Sequence, residues 1–182
     1  MSNSPLTAGT WILDASHSEV GFIVRHAGIS KVRGAFTEFD ATLTVGDTLE
    51  SSNVEANVQI ASVSTKDAGR DAHLTGADFF DAENFPVMSF KSTGIRGDEQ
   101  DLVLTGDLTI RGTTKQVELE VEVGGQAVDA FGATRAGFSA STTISRKEFG
   151  ITWNAALEAG GVLVSDKVKI EIEASFVLPA EG

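Results

Sequence analysis

Apolar and polar residues alternate with a period of two along several stretches of this sequence. Residues 54–60 have Val, Ala, Val and Ile at the even positions and polar residues between them. In residues 117–123 valine and leucine alternate with glutamate, and residues 168–173 repeat the alternation near the end of the chain. A strand with one dry face and one wet face has this period, whereas a helix would spread the same apolar groups all round. The pattern predicts an antiparallel β protein.

The segments between the predicted strands are short and rich in turn residues. Gly97 and Gly112 lie in two of these segments, and Gly124 and Gly125 form a third candidate turn. Because a parallel crossover needs about a dozen residues or more, connections this short join antiparallel neighbours in up-and-down order. The predicted strands span residues 18–26, 31–45, 54–60, 86–96, 101–111, 117–123, 134–145 and 168–173, with a short further strand at 10–13.

The strand predicted over residues 31–45 changes phase within its length. Phe36 stands at an even position, whereas Phe39 and Leu43 stand at odd ones. Since a strand keeps its apolar side chains on one face only while their parity is kept, we expect a bulge or bend near residues 37–38.

A short helical insert is predicted near residues 66–80, where the alternation stops. Thr65 is a candidate N-cap, alanines follow, and Pro86 ends the segment. The alternation fits either a barrel or a sandwich. In a barrel the insert lies across an open end, either as a lid over the lumen or as a plug whose Phe79, Phe80 and Phe85 fill the core.

Length, charge and cysteine content narrow the classes of function. The 182 residues fit a single domain over residues 1–182, with flexible tails expected at 1–9 and 179–182. Fourteen Lys and Arg against 26 Asp and Glu give a net charge of −12, which repels the phosphate backbone of nucleic acids. With no cysteine, neither disulfides nor thiolate chemistry are available. Because of the negative net charge, we expect no nucleic acid partner.

The sequence contains no segment typical of export or membrane insertion. Residues 1–9 carry neither a basic nor an apolar stretch, and no apolar run approaches the length of a membrane-spanning helix. These features predict a cytoplasmic location. The acidic strand faces predict transient encounters with anionic bilayers, unless a local basic patch around Arg25, Lys31 and Arg33 outweighs the net charge.

Candidate catalytic chemistry is sparse. The sequence has no nucleophile-elbow, zinc-protease or phosphate-loop motif. His17 and His26 flank one predicted strand of about 30 Å, too long for both to share a metal ion with His73, so we expect no metal site and no catalytic residue. Arg70, Asp71 and His73 have two interpretations: an acid–base site at the barrel mouth, or an anchor in which Arg70 and Asp71 hold the insert against the strands.

A series of short motifs covers most of the chain in a fixed order. They are HSEVGFIVRH at 17–26, GAF at 34–36, RDAHL at 70–74, DFFD at 78–81, FPVMSF at 85–90, GDLTIRGTTK at 106–115, RKEFGI at 146–151 and VSDKV at 164–168. From about Trp11 to Phe176 this series resembles the YceI-like family, whose members are polyisoprenoid-binding, lipocalin-like proteins.

The resemblance implies an all-β fold, an eight-stranded antiparallel lipocalin-like barrel closed around an apolar tunnel. It also implies non-enzymatic binding of a long-chain isoprenoid or related lipid, such as a quinone tail or a polyprenyl chain, by a carrier or storage protein. No cofactor is implied beyond such a bound lipid or quinone. The matched candidates for lining the tunnel are Phe22, Val24, Phe36, Phe79, Phe80, Phe85, Phe90 and Leu108, and those for polar roles at the mouth or in the structure are His26, Arg70, Asp71 and His73.

Two other functions stay open at this point. One is an enzyme or metal-dependent module that uses the polar cluster at the barrel mouth, and the other is a structural barrel with a filled core. Many members of the family are exported to the periplasm behind a signal peptide, so the resemblance and the sequence of residues 1–9 point to different compartments. The sequence is also compatible with a homodimer.

Overall fold

A computed structural model of the protein describes residues 5–155 and 163–179. These residues form one antiparallel sheet of eleven strands and one α-helix, α1 (Ala68–Thr75). The strands are β1 (Gly9–Leu13), β2 (Glu19–His26), β3 (Ser30–Phe36), β4 (Phe39–Val45), β5 (Asn53–Gln59), β6 (Val63–Ser64), β7 (Val87–Gly97), β8 (Asp101–Ile110), β9 (Thr113–Val128), β10 (Thr134–Ser145) and β11 (Val164–Leu178).

Six of the shorter strands combine in pairs into three long, bent strands. A 3-10 turn at Ala15–His17 separates β1 from β2, and a second one at Ile60–Ser62 separates β5 from β6. Residues 37–38 separate β3 from β4, at the point where the change of phase predicts a bend. Across the bends the same neighbours stay paired, β1 with β4 and β2 with β3. Eight long strands result.

The sheet closes because β11 pairs with both halves of the first long strand. Ile172 of β11 lies opposite Val20 of β2, and Phe176 lies opposite Leu13 of β1. The remaining neighbours follow one another in chain order, which is the up-and-down topology. The predicted eight-stranded antiparallel barrel with one short helical insert is confirmed. β7 pairs with β5 but not with β6, and the insert of residues 65–86 connects β6 to β7 at this end of the barrel.

The turn predicted at Gly124 and Gly125 is wrong. β9 continues through both glycines to Val128, and the chain turns into β10 at residues 129–133. Gly125 takes a φ of +109° where the register with β10 shifts. The two glycines therefore belong to a bulge inside a strand, for which a positive φ favours glycine.

The start of the helix also differs from the prediction. Asp67, not Thr65, is the N-cap of α1, because its carboxylate accepts a hydrogen bond of 3.0 Å from the Arg70 amide. Thr65 lies two residues earlier and is buried, which gives it a different role in holding the insert.

Two apolar clusters close the lumen at opposite ends. The insert-end cluster is built around Phe149 and Ile60, which are almost completely buried, and it includes Phe36 and Phe79. The far-end cluster is built around Trp11, whose side chain has no solvent exposure. Within the segment expected as the amino-terminal tail, Leu6 packs against the far-end cluster and Thr7 exchanges two hydrogen bonds with Gln126. Residues 1–4 and 180–182 of the expected tails lie outside the described residues.

A charged network fixes the corner between β1 and β2 to the β9–β10 hairpin. The Asp14 carboxylate accepts hydrogen bonds from the amide and hydroxyl of Ser16, from Arg135 at 2.8 Å and from His17 at 2.8 Å. These bonds, those from Ser16 first, hold the pKa of Asp14 well below its usual range. Arg135 also donates to Asp129 at 2.6 Å, so one guanidinium ties together two parts of the chain that are far apart in sequence.

Three phenylalanine rings approach glycines so closely that a side chain at the glycine would collide with the ring. Any Cβ atom added at Gly34 would collide with the ring of Phe22, which stands directly opposite it on β2. The same relation holds between Gly106 and the ring of Phe90, and between Gly112 and the ring of Phe85. The missing side chain of each glycine provides the space in which the aromatic ring lies.

We predict that Gly34→Ala lowers the free energy of unfolding by about 1 to 3 kcal/mol, because the added methyl group displaces the Phe22 ring inside a packed wall. Gly137→Ala is the matched control, since an added Cβ there meets nothing within 4 Å, and it should leave stability unchanged or slightly raised. Chemical denaturation of both variants measures the difference. Equal stabilities would show that the contact between the ring and Gly34 imposes no constraint.

Candidate functional site

A cavity of about 220 Å³ occupies the lumen between the two apolar clusters. All eight long strands contribute inward side chains to its wall. The strand made of β1 and β2 contributes one on each side of its bend. The wall includes Leu13, Val20, Phe39, Ala41, Leu43, Val54, Ala56, Val58, Met88, Phe90, Ile95, Leu102, Leu104, Leu108, Val117, Leu119, Val121, Phe138, Ala140, Thr142, Ile170, Ile172, Ala174 and Phe176.

The chemistry of the wall is almost entirely apolar. The inward positions carry Leu, Val, Ile, Phe, Met and Ala, and the hydroxyl of Thr142 is a rare polar group among them. Water in a cavity needs two to four polar partners, so such a space favours apolar groups over water. The side chains of the wall leave this cavity unfilled.

In the structure the predicted lining residues lie on the cavity wall, in the insert-end cluster or against neighbouring strands. Phe90 and Leu108 lie on the cavity wall. Phe36, Phe79 and Phe80 belong to or pack against the insert-end cluster, which closes the lumen at that end.

The remaining predicted lining residues lie against the strands. Phe22 lies against Gly34 and contacts the Phe36 ring at a centroid distance of 5.7 Å. Phe85 lies over Gly112, and Val24 is half-buried opposite Val32. Direct contact of these residues with a ligand stays a prediction.

Most residues of the cavity wall are not among the lining residues predicted from the sequence, because those were chosen by motif matches. The alternation in the sequence already marks Val117, Leu119 and Val121 as one face of a strand, and Leu102 and Leu104 as one face of another. The position of a strand in the closed barrel then decides which alternating faces line the cavity. That position depends on long-range register.

Arg70 and Asp71 both bind Thr65, the residue that follows β6. The Asp71 carboxylate accepts hydrogen bonds from the Thr65 amide at 2.8 Å and from its hydroxyl at 2.6 Å. Arg70 donates to the Thr65 hydroxyl and to its carbonyl, both at 2.8 Å. Thr65 is only 5% exposed, so all of its polar groups are satisfied by the first turns of the insert. Of the two interpretations, this geometry is that of an anchor.

His73 faces aromatic rings on the other side of the insert. Its ring meets Phe79 and Trp153 edge-on at centroid distances of 4.9 and 4.8 Å, and its Nε2 lies 3.0 Å from the Asp78 carboxylate. Trp153 belongs to the segment after β10, so His73 connects the insert to that segment. His26 lies at the exposed end of β2 and is not part of this cluster.

Two arginines hold the backbone around the insert end. Arg146 is 4% exposed and donates to the carbonyls of Ser165, Ile151, Trp153 and Val164 at 2.8 to 3.1 Å. Burial lowers the pKa of this guanidinium below its ordinary value. In the same region Arg111 donates to the carbonyls of Gly150 and Ala77, which ties the insert to the turn that follows β10.

Asp166 is a further charged residue at the insert end of the barrel. Burial acts to raise its pKa, but hydrogen bonds from the Ser145 hydroxyl and the Lys147 amide outweigh that effect, and its pKa lies below the usual range. Among the described residues, no three His, Asp or Glu side chains come together in a way that could hold a metal ion. The charged groups here bind backbone and hydroxyl groups.

A closed, eight-stranded, up-and-down barrel with an apolar lumen is the architecture of the lipocalin-like β-barrels. The model of the YceI-like domain matches residues 11–176. The chain is 40% identical over 139 residues to Protein YceI of Escherichia coli O17:K52:H18, with 76% of this chain and 73% of that protein covered. This chain belongs to the YceI-like family.

Solved structures show the same fold. A YCEI protein of Campylobacter jejuni has a TM-score of 0.74 and 31% identity, with 86% of this chain and 90% of that chain covered. A polyisoprenoid binding domain from Saccharophagus degradans, implicated in plant cell wall breakdown, has a TM-score of 0.71 and 12% identity, with 93% and 98% covered. Within the part of the chain that the structure describes, no helix has the length and apolar character needed to cross a membrane.

We predict that Asp71→Ala lowers the free energy of unfolding by about 1 to 3 kcal/mol, because it leaves the buried amide and hydroxyl of Thr65 without an acceptor. Asp78→Ala is the matched control. It removes an exposed partner of His73 and should change stability by less than about 1 kcal/mol. Thermal unfolding compares the two, and an Asp71→Ala variant as stable as Asp78→Ala would contradict the anchoring role.

Proposed function

We propose that the protein binds a long-chain isoprenoid or related lipid, such as a quinone tail or a polyprenyl chain, in the lumen of the barrel, as a non-enzymatic carrier or storage protein. The observation that carries the proposal is the apolar cavity of about 220 Å³ enclosed by the eight strands. A space lined almost entirely by apolar groups offers few hydrogen bonds by which to select a ligand. It selects by the length and thickness of an apolar chain.

The energetics are sufficient for such binding. Each buried methylene contributes about 0.8 kcal/mol, so about a dozen buried carbons contribute about 10 kcal/mol. This offsets the several kcal/mol lost on association without any specific polar contact.

The size of the cavity limits how much of a ligand it holds. Most small-molecule sites have about 300 to 1,000 Å³, and this cavity has about 220 Å³. A slender segment of a prenyl chain therefore fits the observed space. A longer segment requires the half-buried side chains near the β7–β8 turn, Ile95, Leu102 and Leu104, to move apart, and none of these three belongs to either packed cluster.

The family and one structural neighbour agree with this proposal. The domain from Saccharophagus degradans is described as polyisoprenoid binding, and its fold is the one found here. The contrasting proposal, chemistry by Arg70, Asp71 and His73, has less support. Arg70 Nε and Nη2 and Asp71 Oδ1 bind Thr65, and His73 packs between aromatic rings.

Blocking the lumen tests the proposal. Ala140 lines the cavity from the middle of β10, and Ala140→Phe should reduce binding of a fluorescent polyprenyl probe at least about tenfold because the ring fills the space the chain would occupy. Since the ring enters an existing void, the variant should still fold. Fluorescence titration measures the affinity, and circular dichroism verifies the fold.

Ser141→Phe is the matched control, because residue 141 is the next residue of the same strand and faces the outside of the barrel. It should bind the probe like the wild type. Undiminished binding by a folded Ala140→Phe variant would contradict the lumen as the binding site. Equal loss in both variants would point to a site on the outer face.

A further inference from the structure

The outer face of the β2–β3 hairpin carries three exposed cations that lie side by side. Arg25 of β2 stands directly opposite Lys31 of β3, and Arg33 lies two residues further along β3, opposite Ile23. All three side chains are exposed. Within the described residues, none of the three forms an ion pair. A cross-strand pair of like charges destabilises a hairpin, and these charges lack compensation in the described part of the chain.

The neighbouring strand extends this positive surface. Lys169 of β11 lies opposite Ile23 and pairs with Glu171 at 3.2 Å, at the border of this surface, and Lys167 precedes it on the same face. We call Arg25, Lys31, Arg33, Lys167 and Lys169 the basic face. It holds five of the 14 Lys and Arg of a chain whose net charge is −12.

Negative charge is concentrated on the same outer surface toward the opposite end of the barrel. Glu171 and Glu173 follow Lys169 along β11, and Glu173 lies directly opposite Glu19. Glu120 and Glu122 of β9 border the same surface. The charges are therefore separated along the barrel axis, and the basic face is the side that an anionic surface attracts.

The apex of the β2–β3 hairpin adds an apolar contact. Ile29 is 84% exposed, although its side chain is large and aliphatic. The preceding residues Ala27 and Gly28 both have left-handed backbone, with φ of +55° and +71°, so a tight turn fixes the position of Ile29 beyond the end of the strands. An exposed aliphatic group next to cations matches the interface of a bilayer, where acyl chains lie just beneath the phosphates.

We propose that the basic face and Ile29 form a docking surface for an anionic phospholipid membrane. The hairpin pairs through β3 with β6, which leads directly into the insert, so docking brings the insert end of the barrel to the bilayer. This surface rests on the proposed function for its use, the exchange of a lipid with a membrane. The net charge of −12 repels every other orientation and keeps the docked state short-lived.

Two other partners have the same charge complementarity and are distinguished by the test. Nucleic acid binding without sequence preference normally combines cations with aromatic side chains, and the apex here carries Ile29. A second copy of the chain could place its acidic surface on the basic face, but that contact leaves Ile29 without an apolar partner on the acidic surface.

Vesicle flotation with the full chain tests the docking surface. Vesicles of phosphatidylcholine with phosphatidylglycerol should bind the wild type more strongly than vesicles of phosphatidylcholine alone, and added salt should weaken the binding. Lys31→Gln/Arg33→Gln should lower the partition coefficient about 25-fold, since each cation near an anionic surface contributes about fivefold. Because a like-charge pair is removed, this variant should be at least as stable as the wild type.

Lys91→Gln/Arg96→Gln is the matched control. It changes the net charge by the same amount on β7, where both cations are exposed and paired with glutamates, and its partition coefficient should stay within about twofold of the wild type. Ile29→Ser should lower the partition coefficient several-fold without a change of charge. Equal losses in the two double variants would overturn the proposal, because net charge would then explain them.

Two further results would assign the basic face to another partner and overturn the proposal. One is binding of an oligonucleotide, and the other is self-association by sedimentation, in either case lost in Lys31→Gln/Arg33→Gln and without vesicle binding. The lumen-blocked Ala140→Phe variant should still dock like the wild type. Docking by this variant therefore separates a failure of the proposed lipid binding from a failure of the docking surface.

Discussion

The cavity depends on how aromatic rings are accommodated in a narrow barrel. Eight strands enclose an interior that is just wide enough for side chains to fill or for one slender ligand, and this chain has 11 phenylalanines. Two of these rings, Phe22 and Phe90, occupy the space that side chains at Gly34 and Gly106 would take. The missing side chains leave room for the rings against the strands. The apolar cavity lies between the walls, and the proposed ligand occupies it.

The void requires that both ends of the barrel be held by other interactions. At the insert end, Thr65 is bound by Arg70 and Asp71, and Arg146 gathers four backbone carbonyls. At the far end, Trp11 is fully buried, and Arg135 links Asp14 to Asp129. Polar groups are thus used where backbone turns need partners, and the wall of the lumen is left apolar. This division explains why charged motif residues are structural in a protein whose proposed ligand is apolar.

Local patterns in the sequence predict the strands, their antiparallel order, the bend at residues 37–38 and the position of the insert. The alternation arises because each strand has one buried face, so it can be recognised in the sequence without knowing which strands are neighbours in the sheet. The turn at Gly124 and Gly125 was wrong because a bulge and a turn both favour glycine with positive φ. The cavity wall was only partly predicted, since the direction of the Phe22 ring depends on a glycine that becomes its neighbour only through pairing of β2 with β3.

Native mass spectrometry of the intact protein tests the central claim most directly, because it weighs the folded barrel together with whatever it holds. After incubation with polyprenols of increasing chain length, the account predicts a single added mass per chain. The bound fraction should rise with chain length until the lumen is full, and the adduct should be lost when the protein unfolds. A folded protein that gains no mass from any polyprenol, or that gains several per chain without regard to length, would contradict a lipid held in the lumen.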